Sequence, residues 1–174
     1  MSFIQKFLAI VDGKVQQLFA AVASGGTSSA GQIIAANAQG KLDPTFLPAG
    51  VGVNTVVVIA SEALTAGRFV NLYEDSGSLR VRLASASSGR QAHGFVTESV
   101  ALNGSAIVYP LDTNNAALSG LNSGREYWLG DAGAVTSTPL DSQDEANTGK
   151  VNQLLGVALS STELRTDDYG TQVL

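Results

Sequence analysis

From residue 51 to residue 174 the chain is a succession of short apolar or alternating runs, each cut off by glycine, asparagine, aspartate or proline. Asn54–Ala60 reads NTVVVIA, an apolar run suited to a buried strand. Arg68–Tyr73 (RFVNLY) is apolar except at Arg68 and Asn71. After the turn Asp75–Ser78, Leu79–Leu83 alternates strictly as LRVRL, so the two runs make a hairpin with a half-buried second strand. Ala92–Thr97, the turn Leu102–Gly104, Ser105–Tyr109, Tyr127–Leu129, Ala134–Thr136 and Asn152–Leu159 follow. Strands this short, at this spacing, predict a small antiparallel β-barrel or β-sandwich.

Ahead of this region the pattern changes. Ile4, Leu8, Val11, Val15, Leu18 and Val22 are spaced alternately four and three residues apart, the a/d seam of a coiled coil. Phe7 and Phe19 fall on the flanking positions and widen the apolar face. The spacing predicts an α-helix over residues 1–23, with Gly13 on its outer side, where it weakens the helix by about 1 kcal/mol relative to alanine. A helix of this length is marginal alone in water and needs partners. A face this wide favours three strands over two, or docking on another protein. The competing reading is an amphipathic helix packed on its own β-domain. Residues 24–50 are rich in glycine, serine and alanine and read as an extended arm ending in GKLDPTFLP. Asp43-Pro44 starts a turn and Pro48 holds the end extended. Leu42, Phe46 and Leu47 are the apolar anchors of this segment. The expected fold is therefore mainly β, with a barrel or sandwich over 51–174 preceded by an N-terminal α-helix and an extended arm.

Charged residues make up only 14% of the 174-residue chain, against about a quarter in average globular proteins. Serine, threonine, asparagine, glutamine and glycine fill the surface instead. Such a surface suits many copies held close together; a solvated β-protein with a neutral surface is the plainer alternative. The net charge is −5 and the ten lysines and arginines are scattered, whereas phosphate neutralisation needs them clustered, so no nucleic-acid partner is expected. No apolar run approaches the roughly 20 residues of a membrane span, and no membrane partner is expected. Ala21-Val22-Ala23 has the small-residue form of a signal cleavage site, but Asp12, Lys14, Gln16 and Gln17 interrupt the apolar core such a signal needs. The absence of cysteine removes disulfides and thiolate metal sites and points to synthesis and first assembly in a cytoplasm.

Catalytic patterns are not found. His93 is the only histidine and reads as a packed strand residue. No G-x-S-x-G elbow occurs. Asn147–Lys150 lacks the first glycine of a phosphate loop, and Val151 stands where it needs serine or threonine. Gly50-Val51-Gly52 lacks the third glycine of a dinucleotide fingerprint. Asp141–Glu145 offers oxygens for a hard cation but without EF-hand spacing, and reads as a solvated acidic loop. Glu74 and Asp112 are unmarked as members of a catalytic pair. The expectation is no enzyme, no cofactor and no metal. Gly120 and Gly124 bracket a tight turn before Tyr127-Trp128-Leu129, whose aromatics read as core, with a carbohydrate-stacking platform as the alternative.

The stretches AHGFVTESVALNGSAIVYPLD, GLNSGREYWLGDAGAVTSTP and VNQLLGVALSSTEL resemble a small β-domain recurrent in tailed-bacteriophage particle proteins. QGKLDPTFLP resembles an Asp-x-x-Phe-Leu-Pro segment of phage fibre and decoration proteins, where it joins N-terminal helices to β modules. The resemblance covers residues 35–166 and is more specific for the particle than for a part of it. It implies a virion structural protein. The expected reading is a trimeric head decoration (cement) protein on the outer surface of the phage head, made in the bacterial host cytoplasm. Its partners would be its own copies and the major capsid protein. The alternative is a tail-fibre or baseplate module for host attachment, with carbohydrate binding as one form of that role. The residues expected at its interfaces are Ile4, Phe7, Leu8, Val11, Val15, Leu18, Phe19, Val22, Leu42, Phe46 and Leu47.

Overall fold

The computed structural model describes residues 6–37, 40–43, 46 and 54–174. The chain divides into two units, Met1–Gly52 and Val53–Leu174.

In the first unit the expected helix is a β-hairpin. Strand β1 (Lys6–Val11) runs antiparallel to β2 (Lys14–Phe19), in register from Lys6↔Phe19 to Val11↔Lys14. That register leaves a two-residue loop, Asp12-Gly13, with φ of +51° and +75°. Both central residues with positive φ make the primed turn whose twist matches the strands, and aspartate followed by glycine meets it at low cost. The same Gly13 would weaken a helix, as would the β-branched Ile10, Val11 and Val15 around it. The four-three spacing of a short seam also coincides in part with the faces of a hairpin, since the seam residues Leu8 and Val15 share one face. The helix and its coiled coil are therefore withdrawn. Gly26–Ser29 and Glu145–Asn147 are short 3₁₀ segments, and among the described residues no helix is long and apolar enough to cross a membrane. Beyond β2 the chain turns through Gly26–Ser29, where the Ser29 hydroxyl accepts the Gly25 N–H at 2.7 Å. It then returns alongside itself: Ala21 N–H donates to Ile33 at 2.9 Å and Ala35 N–H to Ala21 at 2.9 Å.

The second unit contains two sheets. The first comprises β3 (Val56–Ala60), β4 (Phe69–Asp75), β5 (Ser78–Leu83), β6 (Gly94–Phe95) and β7 (Ser105–Val108), in the order β6-β4-β5-β3-β7. The sheet curls until Phe95 and Tyr109 exchange two backbone hydrogen bonds of 2.9 Å, which nearly closes a barrel. Its interior is narrow and filled by small or β-branched side chains such as Val58, Ala60, Val70, Val81, Val96 and Ala106. The sheet is mixed, where a wholly antiparallel one was expected: β3 lies parallel to β5, with Ile59 beside Arg80. The reason is the crossing between β3 and β4. There Leu64 is tied to Val100 by backbone bonds of 2.8 and 2.9 Å, which carries the chain past β3's neighbouring position before β4 begins.

The second sheet comprises β8 (Asn114–Asn115), β9 (Glu126–Leu129), β10 (Val135–Thr136), β11 (Val151–Ala158), β12 (Leu164–Thr166) and β13 (Thr171–Val173). Its order is β10-β9-β11-β12-β8, with β13 on the first part of β11. Tyr127, Leu129, Leu155 and Leu164 point inward from it, onto Phe69 and Phe95 on the outside of the barrel. Phe95 stacks on Tyr109 with centroids 5.6 Å apart and tilts against Phe69 at 5.9 Å. The sole tryptophan, Trp128, lies on the opposite, outer face of β9 and is half-buried.

The β9–β10 turn locks the two sheets together. Gly133 N–H donates to Ala84 at 2.6 Å and its carbonyl accepts from Phe69 N–H at 2.9 Å. Asp131 Oδ1 accepts from Ser85 Oγ at 2.8 Å and from Ser87 N–H at 2.9 Å. Hydrogen bonds from Ser87, side chain and backbone, and then from Ser85 hold this carboxyl below its ordinary pKa. Gly133 has φ of +66°, and a Cβ there would run into the Phe69 carbonyl oxygen. Gly133→Ala should therefore cost at least about 2 kcal/mol of stability. Gly120→Ala, at φ of +72° with open space around it, should cost only about 1 kcal/mol. Guanidinium unfolding midpoints of the two variants check the contrast.

A second consequence concerns His93. Where β6 leaves β4, the Leu72 N–H has no strand carbonyl and donates to His93 Nδ1 at 3.0 Å, with Asn71 Nδ2 at 3.4 Å from the same atom. The residue as a whole is exposed, but desolvation of the ring against β4 lowers its pKa below 6.5, and the Asp168 carboxylate pulls it part of the way back. A proton on Nδ1 would also oppose the Leu72 N–H. With the folded pKa below the unfolded one, the unfolded chain takes the proton first. The stabilising contribution is complete above pH 6.5 and is lost as the pH falls through the lowered value. Melting temperatures measured from pH 7.5 down to 5 should fall for the native sequence, and less steeply for His93→Gln, which keeps an acceptor without titrating.

Candidate assembly surface

Alternation along the hairpin sorts its side chains into two faces. Phe7 pairs with Leu18 and Ala9 with Gln16 on one; Ile10 pairs with Val15, Leu8 with Gln17 and Lys6 with Phe19 on the other. On the second face Leu8 is 72% exposed, Ile10 76%, Val15 69% and Phe19 59%. The Lys6 ammonium lies 5.2 Å from the centre of the Phe19 ring, at the open end of the hairpin. Phe7 and Leu18 on the other face are half-buried. Both faces of a two-stranded sheet thus carry large apolar groups. Such a sheet is at best marginally stable in water without a third strand or a packing partner. Covering the exposed face stabilises by roughly 1.5–3 kcal/mol per fully buried side chain, before association costs.

The residues expected at interfaces are placed as follows. Phe7 and Leu18 share one face of the hairpin, and Leu8, Val15 and Phe19 share the other. Val11 ends β1, paired with Lys14, beside the turn. Val22 and Leu42 are exposed. Phe46 is half-buried, and its N–H closes a turn on the Asp43 carbonyl at 3.1 Å. Ile4 and Leu47 lie outside the described residues. Three exposed residues of this unit were missed: Ile10, Ile33 and Ile34. Ile10 was legible from its period-two relation to Leu8; the pair at 33–34 carries no periodic signal.

The second unit carries its own apolar patch on the outside of the barrel. Val57 faces Ile107 across β3 and β7, and Ile59 follows on β3; all three are exposed. Beyond them on β5 and β4 stand Arg80 and Tyr73, the latter covered by the Arg82 guanidinium at 4.0 Å. NTVVVIA is therefore buried on one side only. Among the described residues no group of three or more His, Asp or Glu is placed to hold a metal ion. In the 141–145 loop the carboxylates take backbone N–H groups: Asp141 that of Gln143 at 2.9 Å, Asp144 that of Ala146 at 3.0 Å.

No family model matches the chain, and no curated protein matches it. Among the solved structures similar to the chain is the head fiber gp8.5 N base in bacteriophage phi29. The TM-score is 0.44 and the identity 13%, over 67% of this chain and 89% of that one. A likeness this distant does not equate the two folds.

The hairpin face makes a direct prediction. Ile10→Thr with Val15→Thr keeps β-branched residues in both strands but removes apolar surface. Self-association read by sedimentation velocity should weaken at least tenfold, about 1.4 kcal/mol, while the main thermal transition stays where it is.

Proposed function

We propose that the protein is a structural component of a bacteriophage particle, a head decoration (cement) protein that docks on the outer surface of the shell and against its own copies, with no catalytic role. The observation that carries this reading is the hairpin face of Leu8, Ile10, Val15 and Phe19, exposed on a sheet that among the described residues has two strands. The weakly charged surface and the resemblance of residues 35–166 to phage particle β-domains support it. The major capsid protein is the partner at the shell. Among the described residues both strands of the hairpin are also edge strands, open to strand addition. Three copies match the threefold points of an icosahedral shell; with the helical seam gone, that number now stands on symmetry alone.

The mechanism is mechanical. Each square ångström of apolar surface removed from water contributes roughly 25 cal/mol before entropy costs. Repetition at every equivalent site of a shell turns a modest local contribution into resistance to internal pressure.

A binding experiment tests the reading. The 174-residue chain mixed with particles lacking it should bind and raise the temperature at which they release their genome. Chain 53–174 should melt cooperatively but fail to bind. Retained binding by 53–174 would move the docking surface to the barrel patch of Val57, Ile59 and Ile107. No binding by either chain would refute a shell role. Quantitative mass spectrometry of intact particles then reads the copy number: a value commensurate with the major capsid protein supports decoration, and one matching the few positions of a tail favours a fibre or baseplate module.

A further inference from the structure

The outer face of the second sheet carries a feature that shell docking does not use. The registers of β9, β11 and β13 set Trp128 beside Leu154 and Asn152 beside Gln172, a continuous row across three strands. Tyr169, 51% exposed, stands in the loop that leads into β13. A hollow of about 390 Å³ lies between Trp128, Tyr169 and Gln172. On the other side of the same loop a second hollow, of about 580 Å³, is lined by Gln91, His93, Asp112 and Asp168. Gly170 and Thr171 wall both, so the two adjoin. The wall of the larger one is held firm: the buried Gln153 carboxamide accepts the Ala92 N–H at 2.7 Å and donates to the Ala92 carbonyl at 2.9 Å.

The chemistry of this lining narrows the ligand. Asp112 and Asp168 are carboxylates, and neither hollow has a lysine or arginine in its wall, so an anion would be repelled. A wholly apolar ligand would strip water from the carboxylates without replacing its hydrogen bonds. What remains is a neutral molecule with many hydroxyl groups and an apolar ring face. Aromatic side chains cover such a face, while carboxylates and carboxamides take the hydroxyl protons.

From this geometry we propose that the two hollows form one binding cleft for a neutral oligosaccharide, with Trp128 and Tyr169 as the stacking surfaces and Asp112, Asp168 and Gln172 as hydroxyl partners. The cleft belongs to the second unit and does not depend on the hairpin, so its fate is separate from that of the shell role.

The test uses the full chain on an array printed with neutral and with sialylated oligosaccharides. The best neutral glycan is then titrated in solution. Trp128 is the sole tryptophan, so its emission reports directly on the cleft. Binding of neutral glycans with a change in that emission is expected. Tyr169→Ala and Asp168→Asn should each weaken it at least tenfold without shifting the melting temperature. Tyr169 is on an exposed loop, and asparagine keeps the oxygen that accepts the Gly170 N–H at 3.2 Å. Binding to no glycan, binding to sialylated glycans only, or neutral binding unchanged in Tyr169→Ala would each overturn the proposal.

Discussion

Phe95 performs two tasks from one position, and the second unit depends on both. Its backbone exchanges hydrogen bonds with Tyr109 and draws the five-stranded sheet toward closure. Its ring points outward, stacks on Tyr109 and meets Phe69 in the core shared with the second sheet. A barrel whose inside is packed with valine and alanine has no room for these rings. Placing them outside gives the second sheet something to cover, and that sheet answers with Tyr127, Leu129, Leu155 and Leu164. The Gly133 turn can then approach the barrel backbone closely enough to bond Phe69 and Ala84. Closure, the aromatic layer and the turn lock are therefore consequences of one residue facing two ways.

The first unit obeys a different constraint. A hairpin has two faces and one partner strand, so it cannot hide both faces by itself. Its turn is strongly specified by Asp12-Gly13, and its register follows. What is left unspecified is the covering of Leu8, Ile10, Val15 and Phe19. A local structure this well determined, with an apolar face this open, is the arrangement expected where the covering comes from another molecule.

The sequence was most legible where turn residues interrupted alternation. Ser76-Gly77 between RFVNLY and LRVRL marked the β4–β5 hairpin, and the structure gives the two turn residues φ of +54° and +83°. Asp12-Gly13 carries the same signal, yet it lies inside a run whose apolar residues also fit four-three spacing. Over so few turns the two periods share positions, and the turn dipeptide is the discriminator between them. NTVVVIA failed for another reason: an unbroken apolar run has no alternation from which to tell a strand covered on both sides from one covered on one. Val57 and Ile59 are exposed while Val58 and Ala60 are buried, and only the closed barrel decides which is which. In Tyr127-Trp128-Leu129 both aromatics read as core, but only Tyr127 is buried there, with Leu129 beside it. The middle one must face away because successive strand residues alternate. Of the interface residues inferred from the seam, Leu8, Val15 and Phe19 fall on one exposed face because β-pairing, not helical periodicity, brings them together.

Exposed apolar faces on a weakly charged chain invite indiscriminate association, and the few charges are placed where they oppose it. Lys6 lies over Phe19 at the open end of the hairpin, and Asp12 and Lys14 stand at its turn. On the barrel, Arg80 and Arg82 stand beyond Val57, Ile59 and Ile107, with Arg82 stacked on Tyr73. A cation over an aromatic ring covers apolar surface in the free molecule while keeping its own hydration on the outer side. Charges at the ends and margins of an apolar face also penalise flat edge-to-edge stacking of identical strands, because like charges would be brought together. They cost little in a docking geometry that leaves the margin wet. The few charges can thus oppose indiscriminate stacking without preventing a fitted partner, a second copy included, from covering the apolar centre. For this reason the positions of lysine and arginine bear more on assembly than their number does.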